Sequence, residues 1–261
     1  MPFTPSHVAA VLPFLRSPLP TTGLVIGSMV PDLPYFAPIP VSRDLTHSWL
    51  GTVLADLPMG LVVFGLWIFV FQTPLRDFAP GWIRQRLSAV REPRVRAGIA
   101  GILLIVSAIL VGVVTHLLWD SFTHPDGWVV QALPAFQRQL GPFTMYRWAQ
   151  YGSSAVGLVI LLLWLVLWVR RTPAVQGEHS AWKLGLWTRR ASWFAVIVPG
   201  MVVGIVIWVH GLTRGLDPFD RVVVFRAASL SIACAGLVAV VLSLLWYALP
   251  WRRLPDARER A

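Results

Sequence analysis

The chain has 261 residues, 56% of them hydrophobic and 13% charged, with 14 tryptophans and a mean hydropathy of +0.66; this lies outside the range of soluble globular domains and indicates an integral membrane protein. The net charge of +10 is almost wholly arginine, set in short clusters between apolar runs, which is the pattern of orienting charges and argues against a nucleic-acid surface. The single cysteine, Cys234, excludes a disulfide framework and a thiolate metal site, so a bound metal must be held by His, Asp or Glu.

In chain order, MPFTPSHVAAVLPFLRSPLP lacks a basic region followed by an uninterrupted apolar core, so no cleavable signal peptide is expected. Residues 1–49 are apolar in pieces too short to span and are broken by nine prolines. They are expected to form short interfacial or re-entrant helices, the first capped by Thr4 or Ser6. Five runs then reach the roughly 20 residues that a bilayer core requires: 50–72, 97–121, 152–169, 191–212 and 222–249. The expected fold class is an all-α integral membrane protein of about five transmembrane helices, organised as one membrane domain. In that domain 1–49 is the N-terminal segment, 50–249 the helical bundle and 250–261 a basic tail.

Arginine and lysine in short loops stay cytoplasmic. Segment 73–96 carries Arg76, Arg84, Arg86, Arg91, Arg94 and Arg96; segment 170–190 carries Arg170, Arg171, Lys183, Arg189 and Arg190; the tail carries Arg252, Arg253, Arg258 and Arg260. These are alternate connections, as a five-span protein with an outside N-terminus and a cytoplasmic C-terminus requires. Residues 1–49, 122–151 and 213–221 are expected to face away from the cytoplasm.

Ionisable groups at membrane depth are costly and by default functional. THLLWDSFTH places His116, Asp120 and His124 at i, i+4 and i+8, stacked on one helical face with Cβ atoms about 6 Å apart. His116 lies about 28 Å along the second span, at its outer end. There it is expected to meet His47 in THSW, at the start of the first span, with His7 in TPSH and Asp32 in GSMVPDLPYF. Imidazole and carboxylate without thiolate suit Zn²⁺, with Mn²⁺ or Fe²⁺ as alternatives, and a carboxylate between imidazoles can bridge two ions. Asp56, about 13 Å deeper than His47, is expected to pair with a polar group of a neighbouring helix, beside a kink at Pro58. His210 is a candidate for the second shell or an extra ligand. Arg43 and Arg147 are candidates for holding a phosphate.

MPFTPSH, GSMVPDLPYF, THSWLG with ADLPMG, and THLLWDSFTHPDGW, in that order, closely resemble the bacterial membrane family known as domain of unknown function 4184, over most of the chain. That family carries no established activity; its likeness implies a bacterial cytoplasmic membrane protein. A wider resemblance joins the chain to membrane-bound metal-dependent hydrolases and, through them, to zinc-dependent phospholipase C. It implies that Asp32, His47, His116 and Asp120 surround one ion and that His7 with Asp120 holds a second, Asp120 bridging. The chain departs from the hydrolase pattern after PDL, where Pro34 and Tyr35 follow, and before Arg43, where Ser42 stands. Two ligands of that pattern are therefore missing, which leaves one or two ions open; His124 has no counterpart and can ligate or bind substrate.

The expected function is a membrane-embedded metal-dependent hydrolase of a lipid or lipid-linked phosphoester at the outer interface. Asp120 would both ligate and orient, and His124 or Asp126 would act as general acid or base. The alternatives are a transporter or proton or metal pathway, against which the polar groups gather at one face, and an assembly protein locked by a structural polar cluster. The expected partners are membrane lipids.

Overall fold

A computed structural model describes residues 4–87, 98–175 and 184–248. Arg91, Arg94, Arg96, Lys183 and the basic tail 250–261 lie outside the described residues. A 3-10 helix over Thr4–Arg16 precedes helix α1 (Thr21–Gly27), a 3-10 segment Val30–Tyr35 and the single turn α2 (Arg43–Thr46). The first long helix, α3, runs Trp49–Phe78 and is followed by the short α4 (Gly81–Leu87). Then come α5 (Ile99–Thr123), α6 (Trp128–Ala132), α7 (Pro134–Gln137), the two-residue antiparallel pair β1 (Gln139–Leu140) and β2 (Phe143–Thr144), and α8 (Met145–Arg171), α9 (Leu186–Thr213) and α10 (Arg221–Ala248).

Five helices, α3, α5, α8, α9 and α10, are long and apolar enough to cross a membrane; the protein is an all-α, multi-pass membrane protein. Each matches an expected run, with shifted ends. Helix α8 begins at Met145 where the apolar run begins at 152, because Arg147 and Gln150 lower the hydropathy of its first turns, and Gln150 is buried on the packed side. In α3, the expected kink at Pro58 takes the form of a π-helical stretch over Thr52–Asp56, and a second covers Trp67–Phe71 ahead of Pro74. A proline has no N–H to give and its ring crowds the carbonyl four residues back, here Leu54 and Val70; widening the helix around those carbonyls accommodates it.

The described residues form two compact units. The first comprises 4–34, 38–65 and 98–171. Its centre is the contact of α1 with α5, where Val11, Leu24 and Ala108 are buried together. A Cβ at Gly27 would collide with the Ile109 carbonyl, and one at Gly112 with the Leu24 carbonyl and, at 2.6 Å, the Ser28 amide. Small residues thus let two backbones touch where hydrophobicity alone supplies no force between helices in lipid. The second unit comprises 35–37, 66–87, 172–175 and 184–248, built on α9 packed against α10. Phe78, Leu184 and Trp246 form its buried cluster, and Trp193 donates to the Phe78 carbonyl at 2.9 Å.

Candidate metal centre

Five of the six ligand candidates of the first unit converge. The 3-10 helix brings His7, the Val30–Tyr35 segment brings Asp32, the residue after α2 is His47, and α5 supplies His116 and Asp120 from one face. His7, Asp32, His116 and Asp120 are buried, and His47 is nearly so. His47 Nε2 lies 3.6 Å from Asp32 Oδ1 and 3.3 Å from Asp120 Oδ2; His116 Nε2 lies 3.8 and 3.6 Å from the same two atoms. The other oxygen of Asp120, Oδ1, lies 3.4 Å from His7 Nε2.

These separations are long for charge-assisted hydrogen bonds, which fall near 2.7–2.9 Å. Donor atoms about 2.1 Å from a common tetrahedral centre stand about 3.4 Å apart. Among the described residues, His7 Nε2, Asp32 Oδ1, His47 Nε2, His116 Nε2 and Asp120 Oδ1 have no hydrogen-bond partner although all are buried. Buried polar atoms without partners are expensive, and a divalent cation shared by the carboxylates and imidazoles would satisfy them. The donor set could hold a divalent ion in either of two overlapping groups, His7 with Asp32 and His116, or His47 with His116 and Asp120.

The remaining ring atoms fix the orientation. His116 Nδ1 donates to the Ser28 carbonyl at 2.8 Å; His47 Nδ1 lies 3.0 Å from the Thr46 hydroxyl, which itself donates to the Arg43 carbonyl, and 3.2 Å from that carbonyl, so both rings turn the Nε2 lone pair inward. His7 stacks on His116 with centroids 4.0 Å apart. Burial, with the His116 imidazole beside it, pushes the His7 pKa down to about 3, which keeps the ring neutral and its lone pair available. Thr4 does not cap the first helix: its hydroxyl donates to Asp32 Oδ2 at 2.7 Å and leaves Oδ1 for the cluster. Ser6 Oγ is buried without a hydrogen-bond partner among the described residues, so neither expected cap forms.

His124 stands apart from the other imidazoles. Its Nδ1 is 3.2 Å from Asp120 Oδ2, and its Nε2 receives the Gln150 amide at 3.3 Å. With Nε2 accepting, Nδ1 carries the proton and donates to Asp120, so in this arrangement His124 orients the carboxylate. Gln150 was not legible as a site residue; the polar and small positions Gln150, Ser154 and Gly157, all buried at helical spacing, are the signal that marks it. A cleft of about 230 Å³, lined by Arg43, His47, Asp120, His124, Asp126 and Trp128, opens on the cluster. Arg43 reaches to 4.0 Å from Asp120 Oδ2 and forms a hydrogen-bonded ion pair with Asp126. The Asp126 carboxylate is thereby engaged with a guanidinium.

Three candidates lie elsewhere. Arg147 rests its guanidinium over the Tyr146 ring, 5.9 Å from the centroid, and does not line the cleft. His210 belongs to the second unit and is exposed. Asp56 is fully buried, and among the described residues neither of its oxygens has a hydrogen-bond partner, so the expected pairing with a neighbouring helix is not found. Asp56 is the last residue of the π-helical stretch, which packs against α5.

No curated protein and no solved structure shows significant similarity to the chain. The sequence profile of one family, described as a domain of unknown function (DUF4184), matches residues 1–249 and so takes in every segment that feeds the cluster. The chain belongs to the DUF4184 family.

Proposed function

We propose that the protein is a metal-dependent hydrolase whose site lies at the extracytoplasmic face of the bacterial cytoplasmic membrane and acts on a lipid or lipid-linked phosphoester. The observation that carries this reading is the set of five buried donor atoms without hydrogen-bond partners among the described residues, with spacings of 3.4 to 3.8 Å, beside a cleft that holds an arginine. Asp32, His47, His116 and Asp120 would hold one divalent ion, Zn²⁺ by donor type, and His7 with Asp120 Oδ1 a second. Such an ion supplies Lewis-acid activation of water and of a phosphoryl oxygen. Arg43 binds the phosphoryl anion at the cleft, exchanging Asp126 for it, and its planar fork suits that anion. Asp126, which lines the cleft and is released when Arg43 takes the anion, takes the proton from water and returns it to the leaving oxygen, while His124, held between the Gln150 amide and Asp120, orients the Asp120 carboxylate. The orientation rests on the arginine-rich connections described from the sequence.

The test is metal content by mass spectrometry on detergent-purified protein, beside Asp120→Ala and His116→Ala, followed by a screen of lipid phosphoesters. One or two ions per chain, lost in both variants while helicity persists, together with turnover of a phosphoester, is the expected result. Metal-free protein prepared without chelator overturns the reading.

A further inference from the structure

A second cavity, about 640 Å³, lies between the 3-10 helix, α5 and α8. Its walls are Ala10, Leu118, Trp119, Phe122, Trp148 and Gly152, with Thr115, Thr123 and Ser153 among them. Every polar group in these walls is already used. Thr115 donates to the Gly112 carbonyl, Thr123 to the Trp119 carbonyl, Ser153 to the Gln150 carbonyl, Trp119 Nε1 to Ser153 Oγ and Trp148 Nε1 to the Leu140 carbonyl. The groove therefore offers an occupant apolar contact and nothing to hydrogen-bond.

Its position ties it to the cluster. Ala10 is one 3-10 turn from His7, and the Trp119 ring lies 5.3 Å from the His7 ring. Thr123 lines the groove and His124, the next residue, lines the polar cleft. Apolar groove and charged cleft thus adjoin across the C-terminal end of α5, the one within a membrane-crossing helix pair and the other at its end. An occupant matching both is amphipathic, with a chain and an anionic head.

We propose that the groove holds one acyl chain of the lipid whose head group occupies the cleft, an inference that rests on the lipid phosphoester reading above. Gly152 has nothing within 4 Å of an added Cβ, so Gly152→Phe fills the groove without displacing backbone. Gly236, equally open on α10, gives the matched control Gly236→Phe.

The experiment places the full chain in phosphatidylcholine nanodiscs containing phosphatidylglycerol with a mid-chain diazirine, and maps adducts by peptide mass spectrometry after irradiation. The expected result is enrichment of lipid adducts in 115–123 and 148–153 over the exposed face of α10, abolished by Gly152→Phe and kept by Gly236→Phe. On a long-chain phosphoester, Gly152→Phe raises KM about tenfold, the effect of losing roughly two buried methylene groups, and Gly236→Phe does not. Equal labelling of the groove and α10, or labelling indifferent to Gly152→Phe, overturns the proposal. Metal content and turnover of a short-chain phosphoester by the unaltered protein report on the hydrolase separately. Groove adducts without turnover sink the hydrolase alone, and turnover without groove-specific adducts sinks the chain site alone.

Discussion

The cluster of the first unit and the α9–α10 turn of the second put the same residue type to opposite uses. In the first, Asp32 and Asp120 are buried among imidazoles and keep oxygens that nothing in the described chain satisfies. In the second, Asp217 accepts from the Phe219 amide at 2.7 Å, and Asp220 accepts from the Val222 and Val223 amides at 2.9 and 3.1 Å, closing a turn and starting α10. At the start of α10 an aspartate serves the backbone; in the cluster Asp32 and Asp120 turn their oxygens to side chains. The sites differ because the first unit draws on short, irregular segments that carry side chains to one point, while α9 and α10 are regular helices that satisfy themselves.

The strongest attempt to break this contrast is to remove an acid from each unit. Asp120→Ala is expected to abolish bound metal and any turnover, whereas Asp220→Ala leaves metal content unchanged, both read by metal analysis; metal retained in Asp120→Ala removes the distinction. Next in size is packing. Gly112→Leu drives a side chain into the α1 backbone and is expected to cost about 3 kcal/mol, seen as a lower thermal midpoint in detergent, while Gly236→Ala is neutral or stabilising by less than about 1 kcal/mol.

A pH titration of metal-stripped protein sharpens the picture further. The His7 pKa, about 3 in the folded protein, is below the ordinary value near 6.5, so the unfolded chain binds the proton more readily. Stability from this group is complete above about pH 6.5 and declines as pH falls toward 3, by about 1.4 kcal/mol per unit. His7→Gln is expected to reduce that slope, and an unchanged slope removes His7 as its source. The smallest effect expected is that of Asp220→Ala on stability, about 1 kcal/mol for a lost helix cap, measurable by chemical denaturation.

Much of the candidate site was legible because ionisable residues stand out in apolar sequence: His7, Asp32, His47, His116 and Asp120 were each conspicuous and each arrives at the cluster. What stayed hidden depends on contacts between distant residues. Thr4 looks like a helix cap until Asp32, 28 residues on, is seen to accept its hydroxyl. Asp126 looks like a free acid until Arg43, 83 residues earlier, is found on it. Gln150 lies ahead of the apolar run that marks its helix, and only the fold carries it to His124. Of the fold, the five long helices follow from hydropathy. The 13-residue 3-10 helix over Thr4–Arg16 does not, since Pro5 and Pro13 argue locally for interruption and burial against α8 and α5 prevails.

The contact between α1 and α5 also has a meaning for how the molecule comes into being. Residues 4–47 are made before α5, yet the surface that covers them, and two of the five donor residues of the cluster, belong to Ile99–Thr123. Until that helix has left the ribosome and entered the bilayer, the early segment has neither its glycine seat nor its cluster. Biogenesis must therefore hold a proline-broken, apolar stretch at the membrane surface while α3 inserts past it, and the second crossing of the bilayer is the step that closes the site.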